Sequence, residues 1–153
     1  MRWFWGGAIL LLTAIEAAAS GAIGCGAEDH AASFDLAAGV THGMGAPTFN
    51  FRGDLEILDE TVAEDLRRLS FEDRHLAQYW LDGDELRLLV FREREGQAQY
   101  GSVELTIRTK AGGEEDAGSY QGAYEIEVYD LGESGHGEGK TLILTGEVSC
   151  FAE

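Results

Sequence analysis

Positive charge is scarce in this chain. Eleven Lys and Arg stand against 28 Asp and Glu over 153 residues, a formal net charge of −17. That excludes a general nucleic-acid binder, which needs a basic surface to neutralise phosphates. It also disfavours a protein held to anionic lipid by charge. Cysteine is scarcer still: Cys25 and Cys150 are the only two, no CxxC occurs, and no His lies near either, so neither reads as catalytic. The four histidines, His30, His42, His75 and His136, form no HxH or HExxH. They read as solvated loop residues, and the expected metal and cofactor set is none.

Other chemistries lack their signatures. Gly132–His136 (GESGH) falls short of a G-x-S-x-G elbow, because His136 stands where the final Gly belongs. Asp82-Gly83-Asp84-Glu85 begins like a calcium loop, but its fifth position is Leu86. Phosphate-loop and dinucleotide fingerprints are missing. A weak divalent site stays open as a minor reading, carried by the carboxylates Glu114-Glu115-Asp116 or by His136 between Glu133 and Glu138. No catalytic constellation emerges, and the expected class is non-enzymatic.

What is present begins with the N-terminus. Met1-Arg2 is a short basic start, Trp3–Ile15 is a run of 13 mostly apolar residues, and small residues follow. This is the three-part pattern of a secretory signal, predicted over residues 1–24. The run is shorter than the ~20 apolar residues that a membrane-spanning helix needs. Cleavage has two readings. A cut after Ala19, at Ala17-Ala18-Ala19, leaves Ser20 first. Alternatively, Ala22-Ile23-Gly24-Cys25 resembles the lipobox of bacterial lipoproteins, and that resemblance implies a cut before Cys25 and a diacylated Cys25. Losing the leader removes Arg2 and Glu16, so the net charge stays at −17.

The cysteines follow the same fork. If Cys25 is not lipidated, a Cys25–Cys150 disulfide is available in an oxidising compartment. Closing so long a loop stabilises by at most about 4–5 kcal/mol. If Cys25 is lipidated, Cys150 is left as a small inward-facing hydrophobe.

Beyond the leader, residues 25–46 read as a Gly/Ala-rich lead-in with one short strand at Ser33–Ala37. Residues 47–153 read as a single β domain. Alternation of period two marks the strands. Phe49, Phe51, Leu55 and Ile57 share a parity, with Gly53 as a bend. A helix is predicted near 61–69, from a Thr61…Glu64 capping box and Val62, Leu66 and Leu69. Ala77–Leu81, Asp82-Gly83 and Glu85–Arg94 read as a hairpin on a type I′ turn. Leu89 and Phe91 lie opposite to Leu86, Leu88 and Val90, which predicts a strand covered on both faces. Further strands are expected at Ser102–Thr109, Tyr120–Tyr129 and Thr141–Phe151.

About seven short strands predict an all-β fold, a small antiparallel β-sandwich, with a closed lipocalin-like barrel as the alternative. A membrane-spanning barrel fits poorly, since the outward parity is rich in Glu and Arg. The expected role is that of an exported, non-catalytic cell-envelope protein, periplasmic or secreted, or anchored to a membrane only through lipid on Cys25. It would act as a binding module for an envelope partner or small ligand. Trp80, with Tyr79, is the candidate ligand platform, because it is the only tryptophan after the leader. The competing roles are a barrel carrying an apolar ligand and a weak cation-binding domain.

Overall fold

The structure, a computed structural model, describes residues 20–41, 48–113, 116–132 and 139–153. Nine strands are arranged in one antiparallel sheet: β1 (Ser20–Glu28), β2 (Ala32–Thr41), β3 (Thr48–Ile57), β4 (Arg68–Glu72), β5 (Leu76–Asp82), β6 (Glu85–Glu93), β7 (Gly101–Ala111), β8 (Ser119–Asp130) and β9 (Lys140–Ala152). A one-turn helix, α1 (Glu64–Arg67), precedes β4, and a 3-10 turn at Asp73–His75 joins β4 to β5. The sheet order is β4-β3-β2-β1-β9-β8-β7-β6-β5.

That order makes a barrel. Every strand pairs with its neighbours in the chain except β4 and β5, which do not pair with each other, and the first and last strands pair through Ile23–Gly26 and Ser149–Ala152. Each step along the sheet reverses direction, so the two ends, β4 and β5, run the same way. They behave as one interrupted strand, whose first half bonds to β3 and whose second half bonds to β6. The wall is thus an up-and-down meander, nearly closed. At the interruption Asp73 Oδ1 accepts the Phe51 N–H at 2.6 Å, and the Arg92 guanidinium donates to the Ser70 carbonyl.

The all-β, antiparallel expectation holds, with nine strands in place of about seven. The two facing sheets of a sandwich are replaced by one curled sheet, the barrel alternative. The reason is visible in the parity. Inward positions of every strand join one core, including Leu36, Ile57, Val90, Leu105, Ile107 and Ile126. Outward positions carry Arg108, Lys110, Glu125, Glu127 and Glu147, all exposed. A closed sheet needs no second sheet to cover its apolar face. For the same reason β6 is covered on one face only, and Leu89 and Phe91 are half-exposed on the outer wall.

The lead-in is the largest correction. Residues 25–28 and 32–41 belong to β1 and β2, near the middle of the sheet order, and the strand expected at Ser33–Ala37 lies inside β2. Small residues leave outward positions bare, but Ile23, Cys25, Phe34, Leu36 and Val40 still alternate inward. Aromatic rings cover part of the bare backbone. Phe151 pairs with Gly24 and Phe49 with Gly39, and a Cβ on either glycine would meet the ring at 2.3 or 2.4 Å. Phe49 reaches Gly39 because β3 carries an extra residue there. Asn50 has φ +52° and the register shifts between Ala37 and Gly39. The bulge turns Phe49 outward while Phe51, Leu55 and Ile57 stay buried. Gly53, the expected bend, pairs regularly with Leu36 and Phe71.

Two local predictions also change. In the β5–β6 hairpin the central residues are Gly83 and Asp84, and only Gly83 has positive φ. That is the requirement of a type II′ turn. The helix falls inside 61–69 but is capped by no side chain. Thr61 is instead drawn to Asp59, whose Oδ1 accepts its N–H at 2.8 Å and its hydroxyl at 2.7 Å.

Close approach at glycines yields a test. A Cβ at Gly122 would meet the Arg108 carbonyl oxygen at 2.1 Å, backbone that cannot yield, whereas at Gly24 it meets a ring that can swing away. Gly122→Ala should cost about 2–3 kcal/mol in urea unfolding, and Gly24→Ala about 1 kcal/mol or less. Equal losses would contradict this packing.

Candidate functional site

Trp80 and Tyr79 are neighbours in β5 and therefore face opposite ways. Trp80 is 54% exposed on the outer wall. Tyr79 turns inward and packs against the core. Burial, then the nearby Tyr120, pushes its hydroxyl pKa up. The two rings make no common platform, and Trp80 alone faces solvent as a candidate surface.

Its surroundings follow from register. Trp80 lies directly opposite Arg87, and Arg87 directly opposite Arg108, so one outward row runs Trp80–Arg87–Arg108 across β5, β6 and β7. The adjacent row runs Gln78–Leu89–Thr106. Between them lies an open groove of about 360 Å³, flanked also by Glu104. Arg87 is paired with Glu85. Arg108 has no ion-pair partner among the described residues. Like charges directly opposite one another disfavour the pairing, so the row is not explained by strand stability.

The chain matches no family model, no curated protein and no solved structure.

The two cysteines are brought together. Cys25 in β1 and Cys150 in β9 are directly opposite across the closing seam and form a disulfide, with Cα atoms 4.1 Å apart. Cys25 is 3% exposed and points into the core. A cut before Cys25 would remove Ser20–Gly24, which pair with Ala37–Thr41, whereas a cut after Ala19 leaves β1 whole.

Two polar clusters missed by sequence reasoning close or brace the barrel. Arg94, its side chain 7% exposed, bonds both Asp65 (2.6 and 3.2 Å) and Asp130 (2.9 and 3.1 Å), and the Gln99 carbonyl at 2.8 Å. These hydrogen bonds, Asp130's first, hold the guanidinium charged, and they keep the Asp130 carboxyl below its usual value. Beside it Leu66 of α1 enters the core, so this end of the barrel is plugged. Near the same end, buried Tyr124 donates to Asp29 Oδ2 at 2.7 Å. Burial opposes the Asp29 charge, but bonds from the Ala31 N–H, the Tyr124 hydroxyl and the Ala32 N–H outweigh it, and the carboxyl is lowered. An Arg or Tyr facing a distant Asp leaves no local pattern; only the topology joins them.

His75 departs from the expected solvated histidine. It is buried in the 3-10 turn, where Nδ1 accepts the Glu72 N–H at 2.9 Å in a capping box. Its apolar partner is Phe71, edge-on at 6.0 Å. Among the described residues no group of three or more His, Cys, Asp or Glu could hold a metal ion. His42, Glu114, Glu115, Glu133, His136 and Glu138 lie outside those residues, as does most of the GESGH stretch.

His75 sets a pH dependence. Burial, then the Arg92 and Arg74 guanidiniums, lowers its pKa below the ordinary 6.5. The unfolded chain takes up that proton near 6.5 and the folded chain only at lower pH. The stability from a neutral His75 is thus present above 6.5 and lost as pH falls through the folded value. The melting temperature should fall from about pH 7 to pH 5, and His75→Gln should flatten that fall. An unchanged slope in the variant would exclude His75 as its source.

Proposed function

We propose that this chain is an exported, non-catalytic protein of the bacterial cell envelope, a disulfide-closed β-barrel that binds a ligand on its outer wall at Trp80. The observation that carries the binding reading is the Trp80 groove. A large aromatic side chain stands half-exposed on an edge strand, between polar side chains that can orient a ligand. Export is supported by the leader-like N-terminus and by a cysteine pair placed for oxidation.

The disulfide favours release after Ala19 over lipidation of Cys25. An acylated Cys25 would give up the bond to Cys150, and its chain would come from an inward position. A cargo-carrying barrel is the weaker reading, because Tyr124, Leu36, Ile57, Leu105 and Ile126 fill the interior. The outer wall, rich in Glu and Arg, suits water better than lipid.

Expression of the full chain in a bacterial host, followed by fractionation and intact mass, tests the export reading. The expected product begins at Ser20, is released with the periplasmic fraction, and is lighter than the reduced chain by its two thiol hydrogens. A membrane-bound product acylated on Cys25, or an uncleaved one in the cytosol, would overturn it.

A further inference from the structure

We infer that the Trp80 groove takes an acidic saccharide, a sugar chain that carries carboxylates. The inference rests on the reading of that groove as the binding site. Three features of the wall point to this class of ligand.

The first is the ring. An exposed indole offers a flat apolar face on which a sugar ring can stack, while the ring hydroxyls stay free for hydrogen bonds. The second is the mixed polar lining. Glu104 accepts hydrogen bonds, and Gln78 and Thr106 both donate and accept. Sugar hydroxyls need both kinds of partner. A phosphate polyanion needs donors only and has no hydroxyl to donate to the Glu104 carboxylate.

The third is the arginine pair. Arg87 and Arg108 are placed side by side on one face, in a chain with few cations, and Arg108 has no ion-pair partner among the described residues. A guanidinium holds a carboxylate through two parallel hydrogen bonds, and a ligand carboxylate would relieve the repulsion between the two cations. Trp80 and Arg108 stand two strand spacings apart, ~10 Å. One sugar ring on Trp80 would therefore present the carboxylate of the next unit to Arg108, which favours an oligomer over a monosaccharide.

Calorimetry on the exported product tests this with oligogalacturonate and hyaluronan fragments, against methyl-esterified oligogalacturonate and inorganic polyphosphate. Binding of at least one acidic oligosaccharide is expected. Arg108→Gln or esterification should weaken it by roughly tenfold or more, and Trp80→Ala should abolish it, with the melting temperature of each variant unchanged. Equal affinity for acid and ester would overturn the acidic class while leaving Trp80 as a sugar site. Polyphosphate binding as tightly as the saccharides would reduce the groove to a charge effect. No binding by either acidic oligosaccharide would overturn the inference. The site reading would fall separately, if Trp80→Ala left unchanged the binding of every ligand that does bind.

Discussion

The contact between the first and last strands governs this molecule. All nine strands could be laid down as two meanders, β1 to β4 and β5 to β9, without forming a barrel. The two runs become one wall only where β1 meets β9, and that ladder is four residue pairs long. Cys25 and Cys150 are one of those pairs. The covalent bond therefore sits at the shortest hydrogen-bonded join in the circuit, and it closes a loop of nearly the whole described chain. Its entropic effect is largest for such a distant pair.

Closure explains the distribution of charge and of aromatic residues. A curled sheet has one inner face, and every strand spends its apolar parity there. The acidic excess is left to the outer wall and the loops, where water screens it. Polar groups turned inward are tied, Arg94 between Asp65 and Asp130 and Tyr124 on Asp29 at one barrel end, and Thr109 on the Leu86 carbonyl. The dislocation between β4 and β5 is handled by Asp73, His75 and Arg92, which replace missing ladder bonds with side-chain contacts. Against this economy the Trp80–Arg87–Arg108 row stands out, since it supports neither closure nor the core.

Much of the wall was legible in the sequence because alternation is a local signal. Leu86, Leu88 and Val90, or Val103, Leu105 and Ile107, announce their strands and their inward side. Gly/Ala-rich β1 is hidden, and only the Ser33–Ala37 part of β2 is legible, since alternation between Ala and Gly carries little hydrophobic contrast. Phe49 departs from the face that its parity predicts because a bulge at Asn50 changes parity without a glycine to mark it. Sandwich and barrel share the same strand pattern; they differ only in whether distant strands meet. Trp80 was identifiable as a lone tryptophan, but its arginine row depends on cross-strand register. His75 looked like a loop residue because a 3-10 turn that replaces a ladder has no periodicity of its own.

The claim that the β1–β9 seam, locked by Cys25–Cys150, holds the two meanders as one barrel is tested most directly by amide hydrogen exchange on the oxidised and reduced protein. The account predicts that reduction first opens Ile23–Gly26 and Ser149–Ala152, and then lowers protection in both meanders together. Protection of those segments that is unchanged on reduction would contradict it, as would loss in one meander while the other stays protected.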